Sequence, residues 1–193
     1  MRNQMAVMAA IALLTAASSA LANADSKPAE AAKPAAEGAA PPMPGKPAPE
    51  NDIFKKSIGT WSCEGVAKGP EGQEMKYKAT WTIKSALGGH WHTIVYKRSK
   101  MGPMPAFEGN GFIGYNSADK KYRFVGFDSM GGWVDLNSAD GAVYTGDGSP
   151  MGKRTPVKFT FVQGKDKAGK ESDKLFDVTL DFGVAVSNEN CKK

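Results

Sequence analysis

Two histidines separated by one residue are the feature of this sequence on which a specific chemistry would most readily depend. His90 and His92 flank Trp91, and they are the only histidines in the chain. Residues two apart in a β-strand point to the same side, so this spacing predicts two imidazoles on one face. Such a pair suits two ligands of one metal ion, Zn²⁺ or Cu²⁺, or one axial ligand of a haem. Contact with a metal-free ligand and a purely structural role stay open as alternatives.

The sequence contains no complete pattern for nucleophilic or phosphate chemistry. It has no G-x-S-x-G, and the adjacent histidines are its only imidazole bases. Residues 146–155 resemble a phosphate loop but are one residue short of it. A calcium loop starting at Asp135 fails because Asp140 stands where glycine is needed. We therefore predict no catalytic residue and no resident cofactor beyond the metal or haem alternative, and a binding protein is favoured over an enzyme.

The chain has only two cysteines, Cys63 and Cys191, near the two ends of its aromatic-rich part. In an oxidising compartment they are expected to form a disulfide, which would close a long loop and contribute about 3–5 kcal/mol on the chain-entropy model. Two free thiols and one reactive cysteine are the alternatives.

The chain divides by composition into three parts. Residues 1–22 carry Arg2, an apolar run over 5–17 and the small-x-small end Ala20-Leu21-Ala22, which together indicate a cleaved export signal. The run is shorter than the roughly 20 residues that span a bilayer. Residues 23–50 are rich in Pro and Ala and indicate a disordered linker. Residues 51–193 are left for one domain.

These boundaries predict a periplasmic or secreted protein without stable membrane insertion. About 140 residues are too few for a TIM barrel or a two-lobed Rossmann enzyme. The net charge of +5 comes from scattered lysines rather than from a basic block, which argues against nucleic acid as a partner.

The third part alternates between apolar and polar residues with the period of a strand. Tyr77, Trp81 and Ile83 fall on one face of residues 75–84, and lysines and threonines fall on the other. Ten strands are predicted, near residues 60–68, 74–84, 90–98, 108–115, 121–128, 132–137, 142–147, 155–163, 173–182 and 184–190. A short helical turn is predicted from Asp52 to Ser57, with Asp52 as its N-cap.

A sheet with one solvent-exposed face has edge strands that can pair with other chains, and closure into a barrel removes these edges. The prediction is an all-β protein with a closed antiparallel barrel of about 8–10 strands. If the last strand pairs with the first, Cys63 and Cys191 become cross-strand neighbours.

Short glycine and aromatic motifs then resemble a known family. Gly59-Thr60-Trp61 resembles the G-x-W signature of lipocalin-like barrels. The wider pattern resembles the bacterial family DUF1579, and its segments are residues 58–65, 87–91, 111–116, 122 and 127–128. The resemblance implies a barrel with a cavity and implies no reaction. His90 stands where an arginine is expected after the Gly-Gly pair.

Gly59 and Trp61 are interpreted as structural, with Trp61 closing one end of the barrel. The predicted partner is a small apolar or amphipathic molecule held in the cavity. The predicted lining residues are Tyr77, Trp81, His90, His92, Tyr96, Tyr115 and Trp133. An envelope interaction protein with a filled barrel is the alternative, beside the metal or haem protein. Residues 100–105 form either a lid or a plain connecting loop, and the oligomeric state is left open.

Overall fold

A computed structural model describes residues 45–69, 71–183 and 185–193, apart from the side chain of Met151. The predicted export signal and the linker up to residue 44 lie outside the described residues. No helix in the described ranges is long and apolar enough to cross a membrane.

The described chain folds into ten antiparallel strands and three short 3₁₀ helices. The strands are β1 Gly59–Lys68, β2 Glu74–Ala86, β3 Trp91–Arg98, β4 Phe107–Asn116, β5 Lys121–Asp128, β6 Trp133–Ser138, β7 Val143–Gly148, β8 Thr155–Lys165, β9 Glu171–Asp181 and β10 Val186–Lys192. The 3₁₀ helices are Pro49–Ser57, Leu87–Gly89 and Pro150–Gly152. The predicted all-β class and ten strands are confirmed.

Each strand pairs with its neighbours in sequence, and β1 pairs with both β2 and β10. The sheet is therefore a closed barrel without a free edge, as the alternation predicted. On β2, Tyr77, Ala79, Trp81 and Ile83 are buried, whereas Lys76 and Lys78 are exposed. The interior is thus built from every second residue of each strand.

The predicted disulfide between Cys63 and Cys191 is present. The two residues are direct partners in the β1–β10 register, and both are buried. Their sequence separation is 128 residues, so the bridge joins the first strand to the last and closes a loop that contains β2 to β9.

The barrel has two different ends. The N-terminal 3₁₀ helix and the turns after β2, β4, β6 and β8 lie at one end, which we call the helix end. The opposite one, with the turns after β1, β3, β5, β7 and β9, is the cavity end. At the helix end, Phe54 inserts into the interior and contacts the rings of His92 and Tyr122, with centroids 5.2 and 5.8 Å away.

The N-terminal 3₁₀ helix differs in its start from the prediction. It begins at Pro49 with Ala48 in the N-cap position, and no side chain caps it. Asp52 forms an ion pair with Lys55 instead, at 2.8 Å. Proline is favoured in the first helical turn because its missing N–H is not needed there, so the start lies three residues before the expected one.

Asn51 and Trp61 attach this helix to the barrel. The Asn51 amide donates to the backbone oxygen of His90 and accepts from the backbone N–H of Tyr115. The Trp61 indole donates to the backbone oxygen of Ser57 at 2.8 Å, and its ring is almost fully buried. Trp61 therefore lies buried at the helix end of the barrel.

Candidate functional site: an apolar cavity with a polar floor

A cavity of about 600 Å³ occupies the cavity end of the barrel. Its walls come from inward-facing residues at the ends of the strands and from the turns that join them. The side chains that matter most are Ala67, Met75, Tyr77, Tyr96, Arg98, Phe107, Leu180, Phe182 and Ser187. The volume lies in the range of about 300–1,000 Å³ that is typical of small-molecule sites.

Four methionines contribute to this cavity: Met75, Met101, Met104 and Met130. Met101 and Met104 bond to each other through their backbones, at 3.1 and 3.0 Å, so the connection between β3 and β4 is an ordered turn over the cavity. Methionine side chains are flexible and polarisable, and they adapt to ligands of different shape.

A second, smaller cavity of about 80 Å³ adjoins the first. The two share Tyr96, Phe107, Asp128, Leu180 and Phe182. The smaller cavity is lined further by Trp81, Phe124 and Phe159. An elongated molecule entering past the methionines would therefore meet aromatic rings at its inner end.

The floor of the larger cavity is formed around a buried carboxylate, Glu189, whose exposed fraction is 1%. Its Oε1 accepts hydrogen bonds from the hydroxyls of Tyr77 at 2.8 Å and Tyr96 at 2.7 Å. Its Oε2 accepts one from the indole Nε1 of Trp81 at 2.7 Å. A buried carboxylate is stable only when donors of this kind replace its water. We call these four residues the Glu189 cluster.

Gly65 makes the Glu189 cluster possible. It lies between Tyr77 on β2 and Glu189 on β10 in the strand register. A Cβ atom at this position would overlap the ring of Tyr77. Because Gly65 has no side chain, the Tyr77 ring can cross β1 and reach the carboxylate.

Burial raises the pKa of Tyr77 and of Tyr96 well above the ordinary value of a phenol, and the negative charge of Glu189 raises both further. Both hydroxyls therefore stay protonated and remain donors to the carboxylate at all physiological pH values.

The guanidinium of Arg98 lies above the Glu189 cluster, toward the mouth of the cavity. Its central carbon is 5.3 Å from the ring centroid of Phe107 and 6.0 Å from that of Tyr77. Its Nη2 donates to the backbone oxygen of Pro105 at 3.1 Å. Cation–π contacts and one hydrogen bond thus hold a positive charge at the cavity wall.

The structure brings four of the seven predicted lining residues to the cavities and leaves three elsewhere. Tyr77 and Tyr96 line the larger cavity, whereas Trp81, Tyr96 and Trp133 border the smaller one. Tyr115 lies at the helix end, with its ring 5.2 Å from that of Tyr122. His92 packs on Phe54 at the same end.

His90 and His92 do not lie together in one strand. β3 begins at Trp91, and His90 precedes it in a helical backbone conformation. The Nε2 of His90 donates to the backbone oxygen of Gly45 at 2.9 Å, whereas His92 is buried. The premise that the two rings share a strand face therefore fails, and metal binding by this pair stays an untested prediction.

One other group of potential metal ligands is found among the described residues: Cys63, Glu189 and Cys191. Both of its sulfur atoms are in the disulfide. They are not available as thiolates, so this group carries no metal-binding argument while the bridge is formed.

Glu189 and Arg98 are two charged site residues that we did not predict. Strand alternation could have found both. Glu189 is two residues before the buried Cys191, and Arg98 is two residues after Tyr96, so each shares its neighbour's inward face. Charged side chains are ordinarily placed outside, and that expectation hid them.

Comparison with known proteins gives a family match to which no function is assigned. Residues 46–168 match the family described as "Protein of unknown function (DUF1579)". No curated protein matches the chain. Among solved structures, the S-type phycobiliprotein lyase of Guillardia theta is similar at 8% identity and a TM-score of 0.45, over 75% of this chain and 94% of that one.

Proposed function

The chain belongs to the DUF1579 family, and we propose that it is a binding protein that holds a small apolar or amphipathic molecule in its larger cavity. The observation that carries this proposal is the cavity itself: about 600 Å³, lined by methionine, aromatic and aliphatic side chains at one end of the barrel. A protein that needed only a stable barrel would fill this space, because unfilled apolar volume costs stability.

The composition of the cavity favours binding over catalysis. No described histidine or cysteine lines it. The Glu189 carboxylate is enclosed by its three donors rather than directed at the cavity. A nucleophile with an oriented base is therefore not present among the described lining residues. The same cavity argues against the alternative of a barrel filled by side chains.

We place the protein in the periplasm or outside the cell. The support is the disulfide between Cys63 and Cys191, since such bridges persist in oxidising compartments. The apolar segment at residues 5–17, with its small-residue cleavage site, points the same way.

The proposal is tested by isothermal titration calorimetry with straight-chain alcohols. Each methylene group buried in the cavity should contribute about 0.8 kcal/mol, roughly fourfold in Kd. Octanol, nonanol and decanol should therefore bind with steadily rising affinity. A Kd that does not change along this series, or the absence of binding by all three, would contradict the proposal.

A matched pair of variants locates the binding site. Ala67 is buried on the cavity wall, whereas Ala118 is exposed in a turn at the helix end. Ala67→Phe should fill part of the cavity and weaken decanol binding by about tenfold or more. Ala118→Phe should leave it unchanged. Equal effects of both variants would contradict a ligand in this cavity.

A further inference from the structure

Arg98 is a positive charge in the cavity wall that has no acidic partner. Two basic side chains line the larger cavity, Lys68 and Arg98. Lys68 pairs with Glu74 at 3.4 Å. In the part of the chain that the structure describes, no carboxylate lies within 4.0 Å of the Arg98 guanidinium.

The described residues use little of the hydrogen-bonding capacity of Arg98. A guanidinium has five N–H donors, and the single acceptor found for it among the described residues is the backbone oxygen of Pro105. The Nε atom is buried without an acceptor. Arg98 as a whole is half-buried, but a buried donor such as this Nε is costly unless an acceptor pairs with it.

The carboxylates on this side of the barrel have donors of their own. Both oxygens of Glu189 accept from the Tyr and Trp side chains of its cluster. The Oδ1 of Asp128 accepts from the backbone N–H groups of Met130 and Gly132, at 2.8 and 2.9 Å. The described carboxylates lie more than 4.0 Å from the Arg98 guanidinium, so its remaining donors can serve a group that is not part of the chain.

The surroundings of Arg98 fix its position. Its guanidinium lies near the ring faces of Phe107 and Tyr77, and Tyr77 is itself held by Glu189. The rings limit its movement but do not consume its N–H groups. A planar fork held in this way matches a carboxylate, which accepts two parallel hydrogen bonds from it.

We propose that the ligand is an anionic amphipath whose carboxylate binds Arg98 near the mouth of the cavity and whose apolar chain extends toward Trp81, Phe124 and Phe159. This inference rests on the proposed function, because it names the ligand class of the same cavity. The direction follows from the strands: Arg98 is the last residue of β3, at the cavity end. The buried rings of Trp81, Phe124 and Phe159 lie in the middle of their strands, farther from that end.

The test compares three probes that differ only in their head groups: decanoate, decanol and decylamine. Calorimetry on the full protein should show the order decanoate, decanol, decylamine from tightest to weakest. Arg98→Met removes the charge and the N–H donors but keeps an unbranched, flexible side chain. It should weaken decanoate binding by about 10- to 100-fold, as expected for a charged hydrogen bond, and leave decanol within about twofold of wild type.

Two further variants separate recognition from structure. Lys97→Met removes the neighbouring charge on the outer face of β3, where Lys97 pairs with Glu108 at 3.2 Å, and should change neither affinity. Arg98→Lys should keep a preference for decanoate over decanol, although a weaker one, because the charge remains and the fork is lost. Thermal unfolding confirms that each variant is folded before it is titrated.

The possible results are distinct. If wild type binds decanol as tightly as decanoate, or if Arg98→Met weakens both probes equally, the anionic ligand class is wrong and the apolar cavity site still stands. If wild type binds none of the three probes, the proposed function and this inference both fail.

Discussion

At the helix end of the barrel, Phe54, Trp61 and Tyr122 fill the interior beneath the N-terminal 3₁₀ helix. At the cavity end, the same strands enclose about 600 Å³. The Glu189 cluster lies between the two regions, and its hydrogen bonds hold the floor of the cavity in place.

The Glu189 cluster and the helix end also differ in how their buried polar atoms are paired. The carboxylate of Glu189 has three donors, whereas His92 Nδ1 and Tyr144 Oη, toward the helix end, have no partner among the described residues. The Glu189 carboxylate at the floor is thus fully paired, whereas these two atoms toward the helix end, like Arg98 Nε in the cavity wall, are not paired with any described residue. The helix end contributes stability, and the cavity end gives up some stability for a binding site.

The largest effect is expected from emptying the helix end. Phe54→Ala removes a buried ring between His92 and Tyr122 and should lower the free energy of unfolding by about 3–5 kcal/mol. Decanol affinity at the other end should not change. Urea unfolding measures the free energy of unfolding, and calorimetry with decanol measures the affinity. The control is Ile53→Ala, since Ile53 is 45% exposed; a large loss of affinity in Phe54→Ala would show that the two ends are not separable.

The next effect concerns the floor. Glu189→Gln keeps the shape of the side chain but replaces the carboxylate that three donors share, so we expect a loss of about 3 kcal/mol in the free energy of unfolding. Glu64→Gln, on the exposed face of β1, is the matched control. If the two variants were equally stable, the Glu189 cluster would have no structural role.

A pH dependence follows from His92. Burial lowers its pKa from the ordinary value of 6.5, so the unfolded chain binds a proton at a higher pH than the folded one. The contribution of neutral His92 to the free energy of unfolding is therefore complete above about pH 6.5. It is lost as the pH falls toward the folded pKa, by at most about 1.4 kcal/mol per pH unit.

The variant that tests this is His92→Met, compared with His90→Gln. Urea unfolding at pH 7 and pH 5 should show a smaller loss of stability in His92→Met than in wild type. His90→Gln should behave as wild type, because His90 is not buried. The same pH dependence in His92→Met and wild type would show that another group causes it.

The smallest changes in the free energy of unfolding are expected from removing the hydroxyls of two buried tyrosines. Tyr96→Phe removes a hydroxyl that donates to Glu189 and should lower the free energy of unfolding by about 1–2 kcal/mol. Tyr144→Phe removes a hydroxyl without a partner and should raise it by about 1 kcal/mol. Thermal unfolding gives both signs, and the contrast fails if both variants shift the melting temperature in the same direction.

The fold could be predicted from the sequence because apolar and polar residues alternate along the strands of the barrel. In residues 75–84, the apolar positions alone identified the inner face of β2, and the two cysteines indicated which strands meet. The start of the N-terminal helix was missed because an acidic residue was taken for a cap although a proline three residues earlier starts the helix.

The site was predictable only in part. Tyr77 and Tyr96 were found because large aromatic residues on inner faces line a cavity. Glu189 and Arg98 were missed because a charged residue indicates an outer face until its neighbours on the same face are known to be buried. His90 was misplaced by a single residue at the start of a strand, and strand ends are where alternation carries the least information.

The most direct test of a cavity that binds at one end is methyl NMR of protein labelled at methionine and isoleucine, titrated with decanoate. The methyl resonances of Met101 and Met104, at the cavity, should shift with added decanoate. That of Ile53, at the helix end, should stay in place. Saturable shifts at Ile53 with unchanged methionine resonances would contradict ligand binding at the cavity end.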